Sequence, residues 1–388
     1  MFFLIYRDFY SLVISDDEKE RSEKRQMANR KHLPLVLVLL CCFLLVGCST
    51  HNEKGMDDSS KALFSNGLLS AKEDGFWGYI NADGNFVISP QFDYAYKFSS
   101  GGVARVKFGD KYGYIDTNGK YVIEPKYDYA EDFADNGLAL IKIEEQFGYI
   151  DIDGNYAINP QFDDAYGFGK GAYAAVCVGN QWGFIDASGK YLVNPQFENA
   201  GAFSENGLAP IETNNMWGYI DTSGKIIINP RFQSAYSFDG SGLAIVQADD
   251  KYGYIDSKGT YIARPQFDSA TEFTEDGYAT VSVQGRYGII DEKGSYVINP
   301  QFQLLGRMIN DRAFYVDDDK VGYVNLAGQK IIVAQFDSVL PYWTYGSDYG
   351  SDHFTVVRFG EQYGIVDQGG KYVINPQFEG LAGFSLEY

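Results

Sequence analysis

The chain has 388 residues, 45% of them hydrophobic, which is enough for a large buried core and too apolar for a disordered protein. It carries 32 Lys and Arg against 52 Asp and Glu, a net charge of −20. Such a balance argues against nucleic-acid binding, where phosphate contacts need clustered cations, and against lying flat on anionic lipid.

Residues 1–26 precede a second methionine, Met27. Asp16, Asp17, Glu18, Glu20 and Glu23 make them a poor start for a secretion signal, so they read as an over-extended start or a leader. Residues 27–47 read as a lipoprotein signal peptide. Arg30 and Lys31 give a basic region, and residues 33–46 are apolar apart from Pro34, Cys41 and Cys42. Leu45-Val46-Gly47-Cys48 then has the form of a bacterial lipobox. The expected outcome is export, cleavage before Cys48 and a diacylglycerol on that thiol, leaving the protein lipid-anchored to a membrane of the cell envelope. The apolar run is short for a spanning helix. Without residues 1–47 the chain has 25 basic and 46 acidic residues, net −21. Residues 48–61 hold the lipidated cysteine and a polar tether. Cys177 is then the remaining thiol, on an apolar strand, and is expected to be a buried or edge residue rather than a nucleophile.

Residues 62–388 are a repeat array. An aromatic-Gly pair places its glycine at Gly78, Gly113, Gly148, Gly183, Gly218, Gly253, Gly288, Gly322 and Gly364, mostly 35 residues apart. A fixed period of that size means one supersecondary unit used many times. In every copy Asp or Asn stands three residues before a glycine, as in Asp116 and Gly119. That pattern predicts a type I turn whose glycine takes positive φ, closing a hairpin. Tyr, Ile and Val flank the turn on both parities, so both strand faces are expected to be covered. A proline such as Pro125 follows and is expected to end the second strand; Ala334 replaces it in the eighth copy. Next comes a segment such as Phe162, Ala165 and Phe168, whose spacing suggests a tight corner or a single helical turn with these residues on one face. A Gly-Leu-Ala strand such as 137–143 completes the unit.

The expectation is therefore an all-β fold of nine three-stranded antiparallel meanders, each about 35 residues, stacked into an open β-solenoid-like array. The copies run in phase from first to last, with no visible offset for a closing strand. A closed propeller-like ring is the alternative.

Trp77-Gly78, Trp182-Gly183 and Trp217-Gly218, each followed by Tyr or Phe, Ile, Asp or Asn, and later Pro-x-Phe, resemble the WG repeat, also called the KWG repeat. The resemblance spans roughly residues 63–384, with Tyr or Phe for Trp in most copies and Val321 in one. It implies a bacterial β-rich repeat protein, exported or surface-associated, with no shared catalytic residues.

The residues favour a non-catalytic scaffold that binds an unknown protein or glycan at the cell surface, attached to the membrane through Cys48. A purely structural spacer is the alternative, and a carboxylate-based hydrolase is a more distant one. The three histidines are His32, His51 and His353, so a histidine-based triad would depend on His353. The acids recur in register, whereas a catalytic pair should be singular. Asp151 to Asn155 superficially resembles a calcium loop but fails its spacing, and neither a metal nor a cofactor is expected. The Trp77, Trp182 and Trp217 column accepts Tyr, Phe and Val, which suggests space-filling. The strongest binding candidate is a seven-residue insertion carrying Trp343, Tyr345, Tyr349 and the adjacent His353.

Overall fold

A computed structural model describes residues 64–169, 172–339, 354–381 and 384–385. The signal at 27–47, Cys48, the tether, and Trp343, Tyr345, Tyr349 and His353 lie outside the described residues. Among the described residues the regular structure is all β.

Blade 2 shows how the sequence builds the unit. Strands Tyr94–Phe98, Val103–Phe108, Lys111–Asp116 and Tyr121–Tyr127 pair in that order, all antiparallel. The predicted hairpin forms. The Asp116 carboxylate accepts from the Asn118 and Lys120 amides, both at 2.9 Å, and Gly119 sits at φ +81°. The same geometry at Asp151 confirms a turn there, with the Asp153 and Asn155 amides donating to its carboxylate.

The proline does not end its strand. The strand runs on to Tyr127, and the pairing slips around Pro125: Tyr112 faces Tyr127 while Tyr114 faces Ile123. This bulge pushes the backbone of residues 123–125 onto Gly113, where a Cβ would lie 2.6 Å from both the Ile123 oxygen and the Pro125 nitrogen. The aromatic-Gly pair and the distant proline are thus two halves of one device. In blade 8 the Ala334 amide donates to the Tyr315 hydroxyl at 3.1 Å instead.

The segment after Phe162 is not a helical turn. Asp164–Ala165 is a two-residue strand that pairs with Cys177 and Val176 and opens the next blade. Phe162, Ala165 and Phe168 do share one buried cluster, because the chain crosses between blades among them. The unit is therefore four-stranded, not three. Seven sheets have four strands. Blade 8 has three, since Leu305 keeps only an isolated bridge to Tyr315; Leu305 and Met308 remain buried there.

The array is closed, not open: nine blades form a β-propeller. Strand Gly380–Leu381 pairs with Leu69–Glu73, Leu381 facing Ala71, so the end of the chain completes blade 1. The core confirms it. Nine apolar clusters each join neighbouring blades, where an open array of nine would have eight. The closing cluster packs Leu69, Ala71 and Ile80 against Ile365, Ile374 and Phe378. Both strand faces are covered as the parity predicted, Tyr114 packing towards blade 3 and its neighbour Ile115 towards blade 1.

Candidate functional site

Most repeated residues hold the ring together. The Tyr114 hydroxyl donates to the Glu131 carbonyl of the next blade at 2.6 Å, and Tyr79, Tyr149, Tyr219 and Tyr254 do the same 17 residues ahead at 2.7 Å. The same rings pack on the next blade's phenylalanine, Tyr114 and Phe133 lying 4.8 Å apart between centroids.

Many acids are accounted for by turns as well. Asp116 is held below the usual carboxylate range by the Lys120 and Asn118 amides, which outweigh a small desolvation cost. A second acid, just after most of the long strands, caps the first hairpin turn of the following blade, and Gln233 takes its place in one. Glu198 accepts from the Asn214 and Asn215 amides at 3.0 and 2.9 Å. Asp128 accepts from the Glu144 amide and pairs with Lys111, whose hydrogen bond lowers its pKa most. Among the described residues no group of three or more His, Cys, Asp or Glu is placed to hold a metal ion. Cys177 is buried and unbonded to another cysteine, and burial pushes its thiol up.

The positions that vary show a pattern. Strand register sets one residue opposite each motif aromatic, and opposite Val321 in blade 8. In blades 9, 1, 2 and 3 that residue is Arg358, Lys72, Lys107 and Lys142, facing Tyr363, Trp77, Tyr112 and Phe147. In blades 4 to 8 it is Cys177, Glu212, Gln247, Ser282 and Val316. Ring closure makes blades 9, 1, 2 and 3 consecutive, so the cation–aromatic pairs form one arc.

Within the arc the rings touch in series. Trp77 and Tyr94 are 5.3 Å apart between centroids, Tyr94 and Tyr96 4.6 Å, Tyr96 and Tyr112 6.5 Å. Tyr112 and Tyr129 follow at 6.2 Å, then Tyr129 and Phe147 at 6.3 Å. Trp77 and Phe147 are buried ends, Tyr94, Tyr96 and Tyr112 are half-buried, and Tyr129 is exposed. Lys107 lies 5.7 Å from the Tyr112 centroid and Lys142 5.4 Å from that of Phe147. The Arg105 guanidinium sits 3.6 Å over Tyr96, donates to the Ala130 carbonyl and pairs with Asp132 at 3.1 Å. Burial works against its charge, but Asp132 and the surrounding phenols outweigh that and keep it ionised. Burial raises the Glu131 carboxyl, which accepts from the Tyr129 hydroxyl at 3.0 Å.

Of the residues singled out from sequence, Cys48, Trp343, Tyr345, Tyr349 and His353 lie outside the described residues. The tryptophan column is largely structural: Trp77 is 1% exposed, and Trp182 and Trp217 are half-buried. Sequence reasoning missed Tyr94, Tyr96, Arg105, Lys107, Tyr129 and Lys142. Their signal was present in the departure of blades 2 and 3 from the other copies. The place of Arg358 beside Lys72 was not, since it depends on closure.

The architecture defines the class first, a nine-bladed β-propeller made of one repeated unit. The profile of the WG containing repeat matches residues 77–112, 112–146, 147–182, 182–217, 217–252, 252–287, 287–320 and 363–387, more than half of the chain. The chain belongs to the WG repeat family. The unmatched stretch at 321–362 holds the later two strands of the eighth blade, apart from Lys320, and the insertion. A crystal structure of a eukaryotic initiation factor is similar in fold, at 10% identity and TM-score 0.59, over 80% of this chain and 96% of that chain. Apo AztD from Citrobacter koseri aligns more loosely, at 13% identity and TM-score 0.39, over 68% of this chain and 92% of that one. No curated protein matches. The repeat propeller suggests a scaffold or binding role.

Proposed function

We propose that this protein is a non-catalytic binding scaffold of the bacterial cell envelope, held to a membrane through a lipid on Cys48. The lipobox at residues 45–48 and the polar tether support the location. One observation carries the binding reading: the arc of cation–aromatic pairs on blades 9, 1, 2 and 3, which the remaining blades lack. Lys72 and Trp77 of blade 1 are buried, so a partner meets Lys107, Tyr112, Tyr129 and Lys142 of blades 2 and 3, which the ring holds on paired strands already arranged. The partner is a glycan or protein chain long enough to follow several blades. The non-catalytic reading is supported by the repeated aspartates being held by turn amides, while Asp132 pairs with Arg105 and Glu131 accepts from Tyr129.

Two measurements test this. Incorporation of labelled palmitate into the full-length protein should occur and vanish in Cys48→Ala; incorporation that persists would remove the anchor. Binding of the full-length protein to isolated cell-wall material should fall in Tyr129→Leu with Lys142→Gln while circular dichroism stays unchanged. A passive spacer predicts equal retention of both proteins, and that result would end the binding reading.

A further inference from the structure

We propose that the arc on blades 2 and 3 binds a carboxylated glycan, a linear saccharide bearing uronic-acid groups; this rests on the scaffold reading above. The first ground is charge. Between Tyr94 and Tyr127, blade 2 carries Lys97, Arg105, Lys107, Lys111, Lys120 and Lys126 against Asp110, Asp116 and Glu124, with Lys111 and Arg105 already paired to Asp128 and Asp132 of the next blade. No other blade has more basic than acidic residues, in a chain of net charge −20. Among the described residues no carboxylate lies within ion-pair reach of Lys107, although its ammonium stands over the Tyr112 ring. Lys142 is paired at 2.7 Å with Glu145, whose side chain is 90% exposed, a surface contact that an incoming carboxylate can replace at little cost.

The second ground is spacing. Register puts Tyr94, Lys107 and Tyr112 side by side on blade 2, and Tyr129, Lys142 and Phe147 at the same positions on blade 3. A ring–cation–ring row repeated from blade to blade fits a polymer whose own units alternate an apolar ring face with a charge. Sugar rings offer C–H faces that stack on tyrosine, and uronate carboxylates accept from lysine. A polyphosphate carries a denser charge, which the acidic remainder of the ring repels more strongly.

The test is titration of the full-length protein with oligogalacturonate. Its methyl ester keeps the rings without the charge, polyglutamate keeps the charge without the rings, and oligo(dT) supplies phosphate and bases. Oligogalacturonate should bind, weaken as salt is raised, and bind about tenfold more tightly than the other three. Lys107→Gln with Lys142→Gln should lose about tenfold of that affinity with an unchanged melting temperature. Equal binding of the methyl ester overturns the charged class and leaves the scaffold reading with a neutral glycan. Equal binding of polyglutamate or oligo(dT) overturns it in favour of an acidic peptide or a nucleic acid. If none binds while cell-wall retention still depends on Tyr129 and Lys142, the ligand class is wrong and the site stands. If retention is also indifferent to them, both readings fall.

Discussion

Blades 2 and 5 share a frame and differ in what they present. Both close the second hairpin with an aspartate, Asp116 or Asp221, whose carboxylate accepts amides two and four residues on. Both set a glycine, Gly113 or Gly218, against the bulged strand, and both reach the next blade through a tyrosine hydroxyl. Yet where blade 2 has Tyr94, Arg105 and Lys107, the register of blade 5 places Asn199, Pro210 and Glu212. The neighbours change together: Gly201 in blade 5, at the position of Tyr96, leaves room for Pro210, whose Cγ would lie 2.7 Å from an added Cβ. Residues enclosed by backbone are dictated by packing, whereas the row between the strands is free to diverge. Divergence there is therefore where a partner can be read.

The comparison breaks if the frame is not equivalent. Gly113→Ala and Gly218→Ala should each destabilise by about 3 kcal/mol in urea unfolding, because the atoms met are backbone and cannot swing away. A large loss in one blade and none in the other would show two different frames. Closure is tested next. Leu381→Ala should cost about 2–4 kcal/mol, since Leu381 is fully buried in the closing cluster. An open array would lose almost nothing. Tyr114→Phe and Tyr219→Phe should each cost about 1 kcal/mol by leaving a carbonyl of the next blade without its donor. The natural Phe184, Ile289 and Ile365 show that such losses are tolerated in single blades.

A smaller effect sharpens the contrast between the rows. Lys107→Glu gives blade 2 the residue of blade 5 and should change stability by less than about 0.5 kcal/mol while abolishing ligand retention. The smallest effect concerns pH. Burial raises the Glu131 carboxyl, so ionising it opposes folding. That penalty is absent below the ordinary carboxyl pKa and grows as pH rises through it. Glu131→Gln should thus stabilise by at most about 1 kcal/mol near neutral pH and lose the advantage in acid. Thermal melts across pH would show the gain shrinking downward; a gain independent of pH would mean that its cause is not charge.

The hairpin was legible because its causes are local. Asp116 and Gly119 sit three residues apart and carry the whole turn between them. The long-range device was half legible: Gly113 and Pro125 both stood out in the sequence, but their contact depends on a register slip that no spacing encodes. The fourth strand was missed because Asp164–Ala165 is only two residues long, too short for alternation to show. That one error produced the wrong architecture. Once each blade is seen to begin after its predecessor's Pro-x-Phe, the segment after Phe378 is a first strand left over, and it belongs to blade 1. The arc followed the same fate, since Arg358 and Lys72 become neighbours only when the ends meet.

The Gly75 amide donates to the Glu379 carboxylate at 3.0 Å across 304 residues of sequence. Blade 1 is thus the first to leave the ribosome and the last to be finished. Until Leu381 arrives, the growing chain holds an unzipped seam, with Leu69 and Ile80 bare on one lip and Ile365 and Phe378 on the other. Chain entropy penalises so long a closure only logarithmically, so the seam shuts readily within one molecule. While it is open, the two lips of different molecules are equally complementary. The order of synthesis therefore sets a window in which crowding decides between a solitary ring and chains linked end to end.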